Sequence, residues 1–161
     1  MHNEEKPDIE IVQMDIDDIP YVYHMGELLF TAEKHNTLYR TWDKYEVTHF
    51  FHNEPDLSFV AKNETEEVVG FVMGTRIIKP QSAWSYGHLV WLGVLPDYQR
   101  FGVAHKLVDT FSGQLKKEGI RIMLVDTEKS NKRAIAFFKK YGFGNTADHV
   151  YLSLNLETQD K

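Results

Sequence analysis

The 161-residue chain contains no cysteine. Disulfides, cysteine-ligated zinc and a cysteine nucleophile are thereby excluded. No apolar run approaches the roughly 20 residues of a transmembrane helix. The polar, charged start, residues 1–8, has no signal-peptide character. A cytoplasmic location and no membrane partner are therefore expected. Basic residues are in deficit, 18 Lys and Arg against 24 Asp and Glu, for a net charge of −6. That balance argues against nucleic acid and anionic lipid as partners. It suits solubility and is compatible with a cationic small substrate. Several phosphate and nucleophile signatures are also missing: G-x-x-x-x-G-K-[ST], a G-x-G-x-x-G after the first strand, and G-x-S-x-G. His49 and His52 lie three apart on a predicted helix, but no third ligand stands nearby. They read as a solvated helix face, and no metal is expected.

What is present fits one domain over 1–161, with a core of ordinary size. The composition, 42% hydrophobic and 26% charged, is that of a globular protein. Residues 9–14 read as a first strand. Two helices follow, one starting after the acidic run 15–18 and one over 43–52, with an irregular stretch over 31–41 between them. Pro55 ends the second helix. Strands over 57–62 and 68–78 flank the polar turn 63–66 as an antiparallel hairpin. A fourth, almost wholly apolar strand spans 88–94, as expected for a covered central strand. The helix over 102–117 carries Val103, Leu107, Phe111 and Leu115 at spacings of four. A fifth strand over 120–125 completes a parallel crossover. A last helix led by Ser130 or Asn131 ends at Gly142, and alternation over 150–156 predicts a final strand. The aromatic-rich region Tyr39, Trp42, Tyr45, Phe50 and Phe51 reads mainly as core.

The chemistry centres on the strand, turn and helix from Leu92 to Leu107. Gly102 lets a ligand approach the backbone, and Ala104 keeps the first helical turn open. The leading N–H groups and dipole of the helix favour an anion. Arg100 and Lys106 offer charge at the rim. The same small residues would also serve simple helix packing, so the step alone leaves both readings open.

Gln99-Arg100-Phe101-Gly102-Val103-Ala104, preceded by Val94-Leu95-Pro96-Asp97-Tyr98, resembles motif A of the GNAT superfamily of acyl-CoA N-acyltransferases, [QR]-x-x-G-x-[GA]. The stretch from Asn131 to Phe143 resembles motif B, N-x-x-A-x-x-[FL]-[YF]-x-x-x-G-F. The two stand in the family's order with one strand between them. The resemblance is clearest over 88–143 and weakest in the first 55 residues. It implies an α+β fold in the order β-α-α-β-β-β-α-β-α-β. The central sheet would be mixed and mainly antiparallel, of about six or seven strands, with helices on both faces. It implies acetyl-CoA as cosubstrate. Leu92, Gly93 and Val94 would meet the pantetheine and thioester through their backbones. Arg100, Phe101, Gly102, Val103, Ala104 and His105 would form the pyrophosphate seat, and Gln99 of the same motif would also bind the cofactor. Asn131 would hydrogen-bond the pantetheine arm, with an equally good role as helix cap. Phe138 would pack on that arm. Gly93 is the expected bulge residue, since bulges commonly use glycine. Homodimerisation is common among such proteins.

Acetyl transfer needs a neutral amine and hence a base. With no cysteine, direct attack on acetyl-CoA is favoured. Asp126 is the first candidate base. It follows the apolar run Ile122-Met123-Leu124-Val125, and a carboxylate in such surroundings titrates higher than usual. It also occupies the position of the glutamate base in the ribosomal-protein alanine N-acetyltransferases that this segment resembles. Its plainer role is to cap the following turn. His88, opening the fourth strand, is the second candidate. Some eukaryotic protein N-terminal acetyltransferases carry a tyrosine there. Phe138 departs from the family, in many of whose members a tyrosine at that place acts as acid for the thiolate; Tyr141 and Tyr151 are the candidates to replace it, with ordinary packing as their plainer role. The expected acceptor is a peptide N-terminus or an amine-bearing small molecule. The alternative is a non-catalytic CoA-binding or regulatory module.

Overall fold

The computed structural model describes residues 6–30, 41–81 and 84–158. The irregular stretch expected between the first two helices, together with Tyr39, lies almost wholly outside them. The chain divides into two compact units, Met1–Asp126 and Thr127–Lys161.

The first unit holds a five-stranded mixed sheet in sequential order. β1 (Glu10–Gln13), β2 (Ser58–Lys62), β3 (Val68–Ile77) and β4 (Tyr86–Val94) pair antiparallel, and β5 (Ile122–Val125) pairs parallel with β4. The β2–β3 turn is set by Asn63, whose Oδ1 accepts from the N–H groups of Thr65 and Glu67, the local bonding that lets Asn direct a turn. Two helices cover one face: α1 (Ile19–Leu29) and α2 (Lys44–Asn53). Val22 and Met25 of α1, and Val47 and Phe50 of α2, pack with Val60, Phe71, Met73 and Trp91 of the sheet. The other face carries α3 (Val103–Lys117). Its expected stripe is real: Val103, Leu107, Phe111 and Leu115 are each at most 2% exposed. Each buried side chain of this kind contributes about 1.5–3 kcal/mol of transfer free energy.

The bulge differs from expectation. Met73 faces Trp91 and Gly74 faces Leu89, so Val90 is the extra residue. The β4–β5 pairing starts at Tyr86 opposite Ile122 and stops at Leu89 opposite Val125, one residue before it. Gly93 is regularly paired with Phe71. It is glycine for another reason. A Cβ there would lie 2.8 Å from Phe71 Cε1 and 2.9 Å from Leu29 Cδ1, so the close seating of α1 sets the residue.

The second unit holds α4 (Lys132–Tyr141), N-capped by Asn131, whose Oδ1 accepts from Ala134 N at 3.1 Å. Gly142 closes it at φ +126°. The final strand expected over 150–156 is absent, so among the described residues the sheet has five strands rather than six or seven. Val150, Leu152, Leu154 and Leu156 are 65–90% exposed. Alternation gives a segment an apolar side, but a strand also needs a neighbour for its N–H and C=O groups. Residues 150–155 have none in the sheet.

Candidate active site

Two sequence candidates that stood as alternatives meet in space. His88 lies on β4 opposite Leu124, and Asp126 directly follows β5. His88 Nε2 is 2.8 Å from Asp126 Oδ1. Both side chains are partly exposed, 28% and 43%. An ionised carboxylate only accepts, so Nε2 is the donor in this bond, and in the neutral ring Nδ1 then carries the lone pair. The pair sits where β5 ceases to accompany β4. Parallel register brings together residues 38 apart in sequence.

Beyond the bulge come Leu92, Gly93 and Val94. The chain then turns through a 3-10 helix, Pro96–Phe101, which carries Gln99, Arg100 and Phe101. This turn is braced from three sides. Leu95 N donates to Val69 O at 2.9 Å, Gln99 Nε2 to Val94 O at 2.9 Å, and Asn63 Nδ2 to Tyr98 OH at 3.2 Å. The Arg100 guanidinium lies over the Phe101 ring at 5.2 Å. Gly102 adopts φ +74°, a conformation that costs other residues, and nothing lies within 4 Å of a Cβ placed there. The helix that follows has no side-chain cap, and its first i→i−4 bond is Lys106 N to Gly102 O at 3.1 Å. An open glycine corner before an uncapped helix N-terminus fits a phosphate group.

Other predicted residues take different parts. The Val103 side chain is fully buried, so only its backbone is offered. Ala104 is half-buried, and His105 Nδ1 is 3.0 Å from Asp109 Oδ2. The Lys106 ammonium donates to Ile9 O at 3.0 Å. Within the second unit, Asn131 is the α4 cap and its Nδ2 donates to Thr127 Oγ1 at 3.2 Å. Phe138 is 8% exposed and packs edge-on against Phe137 and Phe143. Tyr151 is 56% exposed and stacks on His149, while Tyr141 sits among Phe137 and Phe143. His49 and His52 are exposed along α2.

One further contact joins α2 to the sheet beside the bulge. Trp91 Nε1, on β4 just past the bulge, donates to Glu46 Oε2 on α2 at 2.7 Å. Nothing in the sequence near either residue signals it, since they are 45 apart and meet only through the α2-on-sheet packing.

Known proteins share this architecture. A family model described as "Acetyltransferase (GNAT) family" matches residues 22–143. N-alpha-acetyltransferase 30 of Schizosaccharomyces pombe is 26% identical over 102 residues, covering 63% of this chain and 67% of that protein. The N-terminal acetyltransferase A complex catalytic subunit ard1 of the same organism is 25% identical over 113 residues, covering 68% of this chain and 64% of that one. The chain thus spans about two thirds of the length of these curated relatives. Among solved structures, Ard1 from Thermoplasma volcanium matches with TM-score 0.71 at 23% identity, over 86% of this chain and 84% of that one. Aminoglycoside N-acetyltransferase AAC(6')-Iy, in complex with CoA, matches with TM-score 0.74 at 17% identity, over 94% and 97%. At these identities the structural matches establish the fold.

Proposed function

The chain belongs to the acetyltransferase (GNAT) family, and from that premise we propose that it transfers the acetyl group of acetyl-CoA to a primary amine by direct attack. The His88–Asp126 pair carries this reading. Acetyl-CoA, when bound, would supply the acetyl group as a thioester, with the CoA thiolate as the leaving group. The open corner at Gly102 and the backbone of Val103, Ala104 and His105 hold its pyrophosphate. Arg100 adds positive charge beside them. Leu92, Gly93 and Val94 hold the arm through their main chain. Gln99 acts indirectly, by tying the turn to Val94 O. Asn131 and Phe138 keep the cofactor roles that the resemblance gives them. The domain in this reading is the whole chain, and its setting is the cytoplasm.

The amine must reach the thioester neutral. His88 Nδ1 takes the proton that the amine loses, and Asp126 holds the ring in the tautomer that leaves Nδ1 unprotonated. Asp126 is then a positioning residue and His88 the base. Positioned bases of this kind contribute roughly 10²–10⁴-fold in rate.

The acceptor is a peptide N-terminus or a small amine. Relatives named N-alpha-acetyltransferases support the first, and the structural match to an aminoglycoside N-acetyltransferase supports the second. The test is CoA release, followed with a thiol reagent, across a panel of peptides and small amines. His88→Ala is expected to lower kcat/KM by roughly 10²–10⁴-fold with the KM for acetyl-CoA unchanged. Asp126→Asn is expected to lower kcat as well, because an amide can donate to Nε2 and select the wrong tautomer. A His88→Ala enzyme as fast as wild type would remove the pair from the mechanism. Acetyl-CoA binding without release for any amine would instead favour a CoA-binding module.

A further inference from the structure

Glu46 opens α2. Asp43 Oδ1 caps this helix by accepting from Tyr45 N at 2.8 Å and Glu46 N at 3.0 Å, which fixes the first turn. From that turn the half-buried Glu46 side chain reaches the sheet and accepts from Trp91 Nε1 at 2.7 Å. Trp91 is only 5% exposed, so the anchor is rigid. An indole N–H orients a carboxylate without neutralising it. Among the described residues, no Lys, Arg or His pairs with Glu46. The other end of α2 is different, because Glu54 there is paired with the guanidinium of Arg76.

The indole that holds this carboxylate belongs to an aromatic cluster. Trp42 and Trp91 meet edge-on at 4.9 Å between centroids, and Phe30 lies 4.9 Å from Trp91. A carboxylate held by an indole N–H, with its charge left intact, is the chemistry that binds a cation. The sheet register places it with the catalytic pair. His88 is opposite Thr75 and Trp91 opposite Met73, two residues apart on β3. His88 and Trp91 therefore face the same helical layer, and the Val90 bulge is what brings this about.

We propose that Glu46 determines acceptor specificity by binding a second positive charge carried close to the amine that is acetylated. This rests on the transferase reading above. The charge bound is not that of the reacting amine. A carboxylate beside that amine would favour its protonated form and oppose attack. A neighbouring ammonium or guanidinium can stay charged throughout, and it gains from a carboxylate that no cation among the described residues pairs. The acceptor is thus an amine with a second cationic group, in a small diamine or in a peptide whose second residue is basic.

Two matched pairs of probes test this with the full chain: 1,4-diaminobutane against butylamine, and a tetrapeptide with lysine at its second position against its norleucine counterpart. In at least one pair the charged member is expected to have a KM about tenfold lower or better, the scale of one well-placed charge pair. The pair that shows the gap identifies the source. Glu46→Gln keeps an acceptor oxygen for the Trp91 indole but removes the charge, and it should close the gap. Trp91→Phe keeps the charge but releases the carboxylate, and it should narrow the gap without closing it. Equal KM values within both pairs for wild type, or a gap that survives in Glu46→Gln, overturns the proposal. If Glu46→Gln does not fold, the wild-type pairs and Trp91→Phe still decide. Absence of CoA release with every amine would overturn the transferase reading itself, and this inference with it.

Discussion

At Gly74 one atom decides the geometry of the pair. A Cβ built there would lie 2.2 Å from the His88 carbonyl oxygen and 2.5 Å from Phe111 Cζ. The first contact is backbone, which cannot rotate away. Gly74→Ala must therefore push β4 off β3 at the bulge, moving His88. Overpacking of this kind costs about 1–3 kcal/mol. Urea melts are expected to show that loss, and CoA release should fall further than destabilisation alone explains, since a base displaced by an ångström loses orientation. Wild-type activity in a folded Gly74→Ala protein would show that His88 need not stay where it is. At this scale the sequence was partly legible. His88 and Asp126 were each visible, because an isolated titratable residue at a strand end is a local signal. Their pairing was not, since it depends on a parallel register set by packing. Glu46 was hidden for the same reason. The glycine at position 93 misled, because a bulge and a tight helix contact both call for a missing side chain.

Among elements, the strongest tie is Arg76 on β3. Its guanidinium meets Glu118 just past α3 through two nitrogens, and Glu54 at the end of α2 through a third. Asp56 lies 3.8 Å away. Glu54 Oε1 also accepts from Thr75 Oγ1 at 2.7 Å. One arginine thus joins helices from both faces of the sheet. Hydrogen bonding and charge from Arg76 hold the Glu118 carboxyl below the usual carboxylate range. A depressed carboxylate stabilises the fold above its unfolded pKa, and this contribution is lost as pH falls through the folded value. Arg76→Met is expected to cost about 2–4 kcal/mol at neutral pH, near the value for breaking a buried pair. The gap to wild type should shrink as pH drops below the ordinary carboxylate range. Thermal melts of both proteins from pH 7 to pH 3 check it, and a gap that is constant with pH would assign the loss to packing alone. The helices themselves were legible. The stripe of α3, the Asn131 cap and the Gly142 stop are local patterns with local causes. The Val90 bulge had no such mark, because a valine inside an apolar run looks like any other strand residue. The alternation over 150–156 was legible as a pattern, but a pattern does not supply a strand to pair with.

At the scale of the whole molecule, cofactor binding should be readable as stability. A ligand that binds only the folded state at 100 times its Kd adds about 2.7 kcal/mol. For a chain of this length each kcal/mol raises Tm by roughly 2–4 °C, so acetyl-CoA should raise it by about 5–10 °C. One transition is expected, because Thr127–Lys161 is shorter than the roughly 40 residues below which chains seldom fold alone. Gly102→Glu places a carboxylate at the corner assigned to the pyrophosphate and should abolish the shift. The substitution also strains the backbone, since Gly102 sits at φ +74°. Gly119→Glu provides the control. Gly119 has φ +77° and equally open surroundings, but it lies beyond the opposite end of α3. Both variants should lose similar stability without ligand, and only Gly119→Glu should regain it with acetyl-CoA. A full shift in Gly102→Glu would move the phosphate seat away from this corner. Loss of the shift in both would mean that backbone strain, rather than the site, had been measured.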